Sequence, residues 1–159
     1  LQGSSIDVTY HYPNTSTNYA GPSTVVVGPG TELTNFASFV DIDISNTSIL
    51  ITTKRSYPSN PVLFDGLTFK ILSGPIPGLL ATLNVPGTTY AGLLAAAVTN
   101  DTQNIWINLA SPAGNGFSGD TIRIDLTAVP LPAAAWLFIS AIGGLVLVGR
   151  RRRMHSAAA

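Results

Sequence analysis

From Leu1 to about Thr127, apolar side chains recur at every second position in short runs, the spacing that lines one face of a β-strand. Ile6, Val8, Tyr10 and Tyr12 alternate with Asp7, Thr9 and His11, and Val40, Ile42 and Ile44 alternate with Asp41, Asp43 and Ser45. The same pattern holds for Leu67, Phe69 and Ile71, for Ile105, Ile107 and Leu109, and for Ile122, Ile124 and Leu126. Further strands are predicted at Thr24 to Val27 and Ile49 to Thr53. Clusters of Gly, Pro, Asn and Ser separate the runs, and Pro22, Pro29, Pro58, Pro61, Pro75, Pro77 and Pro86 mark turns or sheet edges. Seven or eight strands with one apolar face each predict an all-β domain over residues 1–128. Two antiparallel sheets packed face to face are expected, a β-sandwich of jelly-roll-like or immunoglobulin-like type, with a small barrel as the alternative. Tyr90 to Val98 is rich in Ala and Leu and reads equally as a short helix or a buried strand. A domain of this size buries a workable core without covalent staples, and its non-local contacts predict slow folding.

The pattern changes after Thr127. Val129, Pro130, Leu131, Pro132 and Ala133 lead into a segment, Ala133 to Gly149, of 17 residues with no Asp, Glu, Lys, Arg or His; Arg150, Arg151, Arg152 and Arg153 follow it. As a helix this segment would span about 26 Å, the short end of what a bilayer core of about 30 Å requires. Four consecutive arginines resist burial and are favoured on the cytoplasmic side, so a single spanning helix with its C-terminus inside is predicted, with Trp136 at the outer interface. Each arginine near an anionic leaflet contributes on the order of 1 kcal/mol and helps stop further transfer of the chain. Gly143 and Gly144 lie mid-helix, where small residues permit close helix packing. Pro130 and Pro132 hold the preceding segment extended, the geometry that a protease active site accepts.

This three-part order resembles the PEP-CTERM sorting signal in its VPLPA variant. The resemblance covers Val129 to Arg153 and implies recognition by an exosortase, an integral membrane cysteine protease and transpeptidase of Gram-negative bacteria that removes the tail. It also implies a surface or extracellular-matrix destination linked to exopolysaccharide and biofilm. Val129 to Pro132 would then contact the protease, the helix would anchor the precursor in the inner membrane with the N-terminal domain outside, and the arginines would orient it. These are substrate roles. An exported domain needs a secretory signal peptide, expected to end shortly before Leu1 in the encoded precursor.

Charge sharpens this picture. The formal net charge is zero, but residues 1–132 carry Lys54, Arg55, Lys70 and Arg123 against eight carboxylates, a net charge of −4. That distribution offers no basic patch for nucleic acid. The chain has no cysteine, which excludes disulfides, thiolate metal sites and a cysteine nucleophile.

Candidate chemistry is sparse, and neither a cofactor nor a catalytic set is predicted. Asp41, Asp43, Ser45 and Asn46 resemble the start of a calcium loop, but Asn46 stands where the loop needs Gly and Thr52 where it needs Glu. Their alternation with Val40, Ile42 and Ile44 is explained by the solvent face of a strand, leaving surface calcium as a minor alternative. Asp101 and Asp120 fall in loops, where a carboxylate pair could serve a glycosidase; capping of turns accounts for them equally. His11 is the one histidine outside the tail and is read as a solvated strand residue opposite Tyr10 and Tyr12. Gly116 to Asp120 lacks the final glycine of a nucleophile elbow and reads as a polar hairpin between the strands at Ile105 and Ile122. Tyr10, Tyr12, Tyr19, Tyr57, Tyr90 and Trp106 could stack on sugar rings, although aromatic residues also fill sandwich cores. Trp106, Tyr10 and Tyr12 are the leading candidates for glycan contact. The expected function is that of an exported, non-enzymatic surface or matrix protein processed by an exosortase, with a carbohydrate-binding module as the alternative.

Overall fold

In the computed structural model, which describes residues 1–56, 58, 60–73, 79–110 and 115–128, the alternating runs become antiparallel strands of two five-stranded sheets. The chain divides into two units, Leu1–Val129 and Pro130–Ala159. The whole second unit lies outside the described residues, as does Val129. The sorting motif Val129 to Ala133, the predicted spanning helix 133–149, Arg150 to Arg153, Tyr57, Pro75 and Pro77 are therefore outside them. Among the described residues no helix is long and apolar enough to cross a membrane.

In chain order the strands are β1 (Ser5–His11), β2 (Asn18–Val26), β3 (Thr31–Phe36), β4 (Val40–Ile44), β5 (Ser48–Thr53), β6 (Gly66–Ser73), β7 (Leu79–Leu83), β8 (Val98–Asn100), β9 (Asn104–Asn108) and β10 (Thr121–Ala128). One sheet has the order β2-β1-β6-β9-β8 and the other β3-β4-β5-β10-β7. The faces predicted to be apolar turn inward, apart from Tyr12 just beyond the end of β1, which is exposed. Ile6, Val8, Ile42, Ile44, Ile49, Ile51, Leu67, Phe69, Ile105, Ile107, Ile122 and Ile124 are each no more than 1% exposed and belong to one continuous core. Burying a branched aliphatic side chain of this kind contributes about 1.5–3 kcal/mol, so the core is the main source of the fold's stability.

Among the described residues ten strands replace the seven or eight expected. β3 lacks clean alternation, and its pairing with β4 shifts register twice, between Thr31 and Leu33 and again between Leu33 and Phe36, where Asn35 has positive φ. β7 follows a Pro- and Gly-rich stretch, and β8 is only three residues long. The Ala-rich segment resolves into a 3₁₀ turn, Ala95–Ala97, that leads directly into β8. β2 begins earlier than predicted and passes through Pro22. It can do so because it is an edge strand, where a missing amide hydrogen leaves no ladder bond unmade. Beside it Gly21 has φ +86, and a Cβ there would lie 2.5 Å from the Val8 carbonyl oxygen, so glycine is required.

Two further expectations are corrected. Gly116 to Asp120 is not a hairpin between the neighbouring runs, because β9 and β10 belong to different sheets. β9 already pairs with β6 and β8, and β10 with β5 and β7, which leaves neither an edge for the other. The segment instead clamps the end of β5: Gly119 N–H donates to the Thr53 carbonyl at 2.7 Å, and Thr53 N–H donates to the Asp120 carbonyl at 2.8 Å. His11 lies opposite Tyr10 along β1 but is not solvated, being 9% exposed. The ring of buried Phe64 stands edge-on 6.1 Å away, and Phe64 N–H donates to the Pro13 carbonyl at 3.2 Å, so the segment before β6 covers the outer face of β1.

Candidate functional site

The ends of β1, β2 and β6 and the segments leading into β4 and β6 meet around a cavity of about 250 Å³ lined by Tyr10, Tyr12, Tyr19, Phe39, Ser56, Pro58, Asn60 and Asp65. Strand alternation sends the Tyr10 ring into the core. Tyr12 follows the end of β1, and Tyr19 lies in the paired strand β2, which returns alongside through the register Tyr10 to Ala20. Tyr19 meets Tyr10 edge-on with ring centroids 5.6 Å apart, and Phe39 lies 5.8 Å from Tyr10 and 6.1 Å from Tyr19. These separations fall in the range in which aromatic rings attract beyond simple burial. The result is a graded wall, with Tyr10 3% exposed at its inner end and Tyr12 and Tyr19 38% and 59% exposed at the mouth.

Asp65 forms the polar floor. It is 1% exposed and immediately precedes β6. Its Oδ1 accepts the Tyr10 hydroxyl at 2.5 Å and its Oδ2 accepts the Asn60 side-chain amide at 3.0 Å. Its own backbone is held by β9 and the residue that follows: Asp65 N–H donates to Asn108 Oδ1 at 3.1 Å, and Leu109 N–H donates to the Asp65 carbonyl at 2.7 Å. A buried carboxylate supported in this way is fixed in direction. No Lys or Arg is among the lining residues.

Of the three leading glycan-contact residues, Tyr10 and Tyr12 meet at this cavity and Trp106 does not line it. Trp106 lies half-buried on the outer face of β9, opposite Ile105 and Ile107, between Thr68 of β6 and Thr99 of β8. Tyr90 belongs to the core, and its phenol is pushed up to about 12, chiefly by burial. Phe39, Ser56, Asn60 and Asp65 carry no site expectation from the sequence, and Pro58 carries only that of a turn or edge. Their one local signal is an Asp directly before an alternating strand, after a Pro- and Ser-rich stretch.

The remaining candidates serve the fold. Asp41 and Asp43 alternate with three buried residues in β4, so the segment is a strand and not a calcium loop. The Lys54 ammonium bonded to Asp41 at 2.8 Å, together with the Asn35 amide, holds that carboxyl below its ordinary value. Asp101 closes the β8–β9 turn by accepting the amides of Gln103 and Asn104, both at 2.7 Å, and these bonds hold its carboxyl low as well. A glycosidase acid needs the opposite shift. Asp120 accepts the Phe117 amide at 2.7 Å. Among the described residues no group of three or more His, Cys, Asp or Glu is placed to hold a metal ion. A second cavity, about 290 Å³ and lined by Gln2, Val27, Gly28, Pro29, Ser45, Asn46 and Thr47, lies near the opposite ends of β1 and β4.

Comparison with protein-family models, with curated proteins and with solved structures gives no match.

Proposed function

We propose that this chain is an exported, non-enzymatic protein of the Gram-negative cell surface or extracellular matrix, held in the inner membrane by its C-terminal helix and then processed by an exosortase. The observation that carries this reading is the order of motif, apolar segment and arginine cluster from Val129 to Arg153. In this reading the partners are the exosortase, the membrane and exopolysaccharide, with no nucleic acid. The sandwich is read as jelly-roll-like, because the chain repeatedly changes sheet, at β2 to β3, β5 to β6, β6 to β7, β7 to β8 and β9 to β10. Pulse-chase fractionation in cells with and without exosortase tests the reading. Conversion from a membrane to a released or surface-linked form should require the enzyme, and identical fractionation in both strains would refute it.

The aromatic cavity favours a second reading, in which the sandwich is a carbohydrate-binding module. Exposed Tyr12 and Tyr19 beside a buried hydrogen-bonding floor supply both the stacking and the polar orientation that a sugar ring needs. A glycan array bound by the native chain and silent for the Tyr12→Ala, Tyr19→Ala double variant would support this reading. An inert array would remove it.

A further inference from the structure

The segment that brings Asn60 to the aromatic cavity is anchored on the other face of β1. Of residues 60–64 only Phe64 is buried, while Leu63 is 87% exposed. Burial of an aromatic side chain is the largest apolar contribution such a stretch can make, so Phe64 is its anchor. The Phe64 ring stands edge-on 6.1 Å from the His11 ring, and the Phe64 amide donates to the Pro13 carbonyl at 3.2 Å. A further tether is the Asn108 side-chain amide, which donates to the Leu63 carbonyl at 3.2 Å. Asn60, at the start of the stretch, lines the cavity and donates to Asp65 Oδ2.

His11 tolerates this anchor only while it is neutral. The register sets it opposite Asn18 of β2 and Gly66 of β6, neither of them charged. Its Nδ1 is buried and has no hydrogen-bond partner among the described residues, so a proton placed there meets the Phe64 ring and no acceptor. The nearby carboxylates are engaged elsewhere. Asp65 is bonded to the Tyr10 hydroxyl on the core side of β1, and Asp7, four residues before His11, lies opposite Thr24 and Lys70. Strands β2 and β9 contain no Asp, Glu, Lys or Arg, and the one tyrosine of β2, Tyr19, lines the cavity. A buried charge without a partner is costly, and burial accordingly holds the ring below its ordinary 6.5, against a hydrogen bond to the Thr17 backbone.

We infer that His11 is an acid-operated release for the aromatic cavity: when Nδ1 takes up a proton, Phe64 leaves the outer face of β1 and residues 60–64 lift, drawing Asn60 out of the cavity wall. The lifted segment leaves His11 solvated, with a pKa near its ordinary value of about 6.5. It therefore binds the proton more readily than the docked one, and acid favours lifting. The cavity is complete above about pH 6.5 and is lost progressively as pH falls below it. This device acts on the cavity whatever the cavity binds, so it does not depend on the carbohydrate-binding reading.

The test is amide hydrogen exchange of the full chain in detergent, resolved by NMR and expressed as protection so that the intrinsic pH dependence of exchange cancels. Between about pH 7.5 and about pH 5.5 the Phe64 amide is expected to lose roughly tenfold in protection, the factor that linkage to one group of ordinary histidine pKa gives over that interval. At both pH values it should be less protected than the amides of the central strands β5 and β10, because it opens without the rest of the fold. His11→Gln should remove the pH dependence, and Phe64→Ala should leave residues 60–64 unprotected at both pH values. A Phe64 amide equally protected at the two pH values would overturn the inference. So would one as well protected as β5 and β10, since the segment would then open only when the whole domain unfolds. Both of these results are read on the native chain and stand whether or not a variant folds. A pH dependence that persists in His11→Gln would assign the release to another group and overturn the inference as well.

Discussion

The Tyr10 hydroxyl donates a 2.5 Å hydrogen bond to Asp65, a residue 55 positions further along the chain. The bond links the end of β1 to the start of β6, next to the register pairs Tyr10 with Leu67 and His11 with Gly66. A structural tie and the floor of the cavity are therefore the same contact. Tyr10→Phe keeps the ring and removes this donor from a buried carboxylate. Hydrogen bonds to charged groups contribute about 1.5–3 kcal/mol, and a loss of that size is expected in denaturant unfolding. An unchanged midpoint would show that the bond does not support the fold.

Gly66 is a second constraint on the same strand. A Cβ at this position would lie 1.9 Å from the carbonyl oxygen of Ile107, a backbone atom that cannot move without shifting the β6–β9 register. Gly66→Ala is expected to destabilise the domain by about 3 kcal/mol, the upper end of ordinary overpacking. A variant as stable as the native protein would mean that β6 and β9 are not paired in this register.

His11 gives the domain an acid sensitivity. Burial lowers its pKa below the ordinary 6.5, against an opposing hydrogen bond to the Thr17 backbone. The unfolded chain therefore binds a proton more readily than the folded one, and stability rises with pH through this window. The contribution is complete above about pH 6.5 and is lost as pH falls towards the folded value. Thermal melts between pH 5 and 8 should show this fall in the native protein and not in His11→Asn. Parallel pH profiles would contradict the buried placement.

Strand β10 ends at Ala128, and the predicted motif begins at the next residue. An enzyme that must take up Val129 to Pro132 in extended form meets the folded domain at once. Inserting a short Gly/Ser spacer after Ala128 is expected to raise the rate of tail removal in a pulse-chase measurement. An unchanged rate would show that the domain does not obstruct access.

The sandwich was legible where burial of one face imposes period two, as at Val40, Ile42 and Ile44 or at Ile122, Ile124 and Leu126. β3 was not, because its register shifts break the alternation. The false hairpin at Gly116 to Asp120 arose because proximity in sequence does not reveal which strand edges are already occupied. His11 was misjudged because the cover on the outer face of β1 comes from Phe64, more than fifty residues away. The cavity was half legible. Tyr10, Tyr12 and Tyr19 share a neighbourhood in the sequence, whereas Asp65 joins them only through the pairing of β1 with β6.

The intact mass of the protein recovered from native cells, beside that of a Pro130→Ala, Pro132→Ala variant, decides whether the tail is a processing signal. Loss of the apolar segment and Arg150 to Arg153 is expected in the native protein, with retention of both in the variant. A full-length, membrane-embedded mass in both would contradict it and make the tail a permanent anchor.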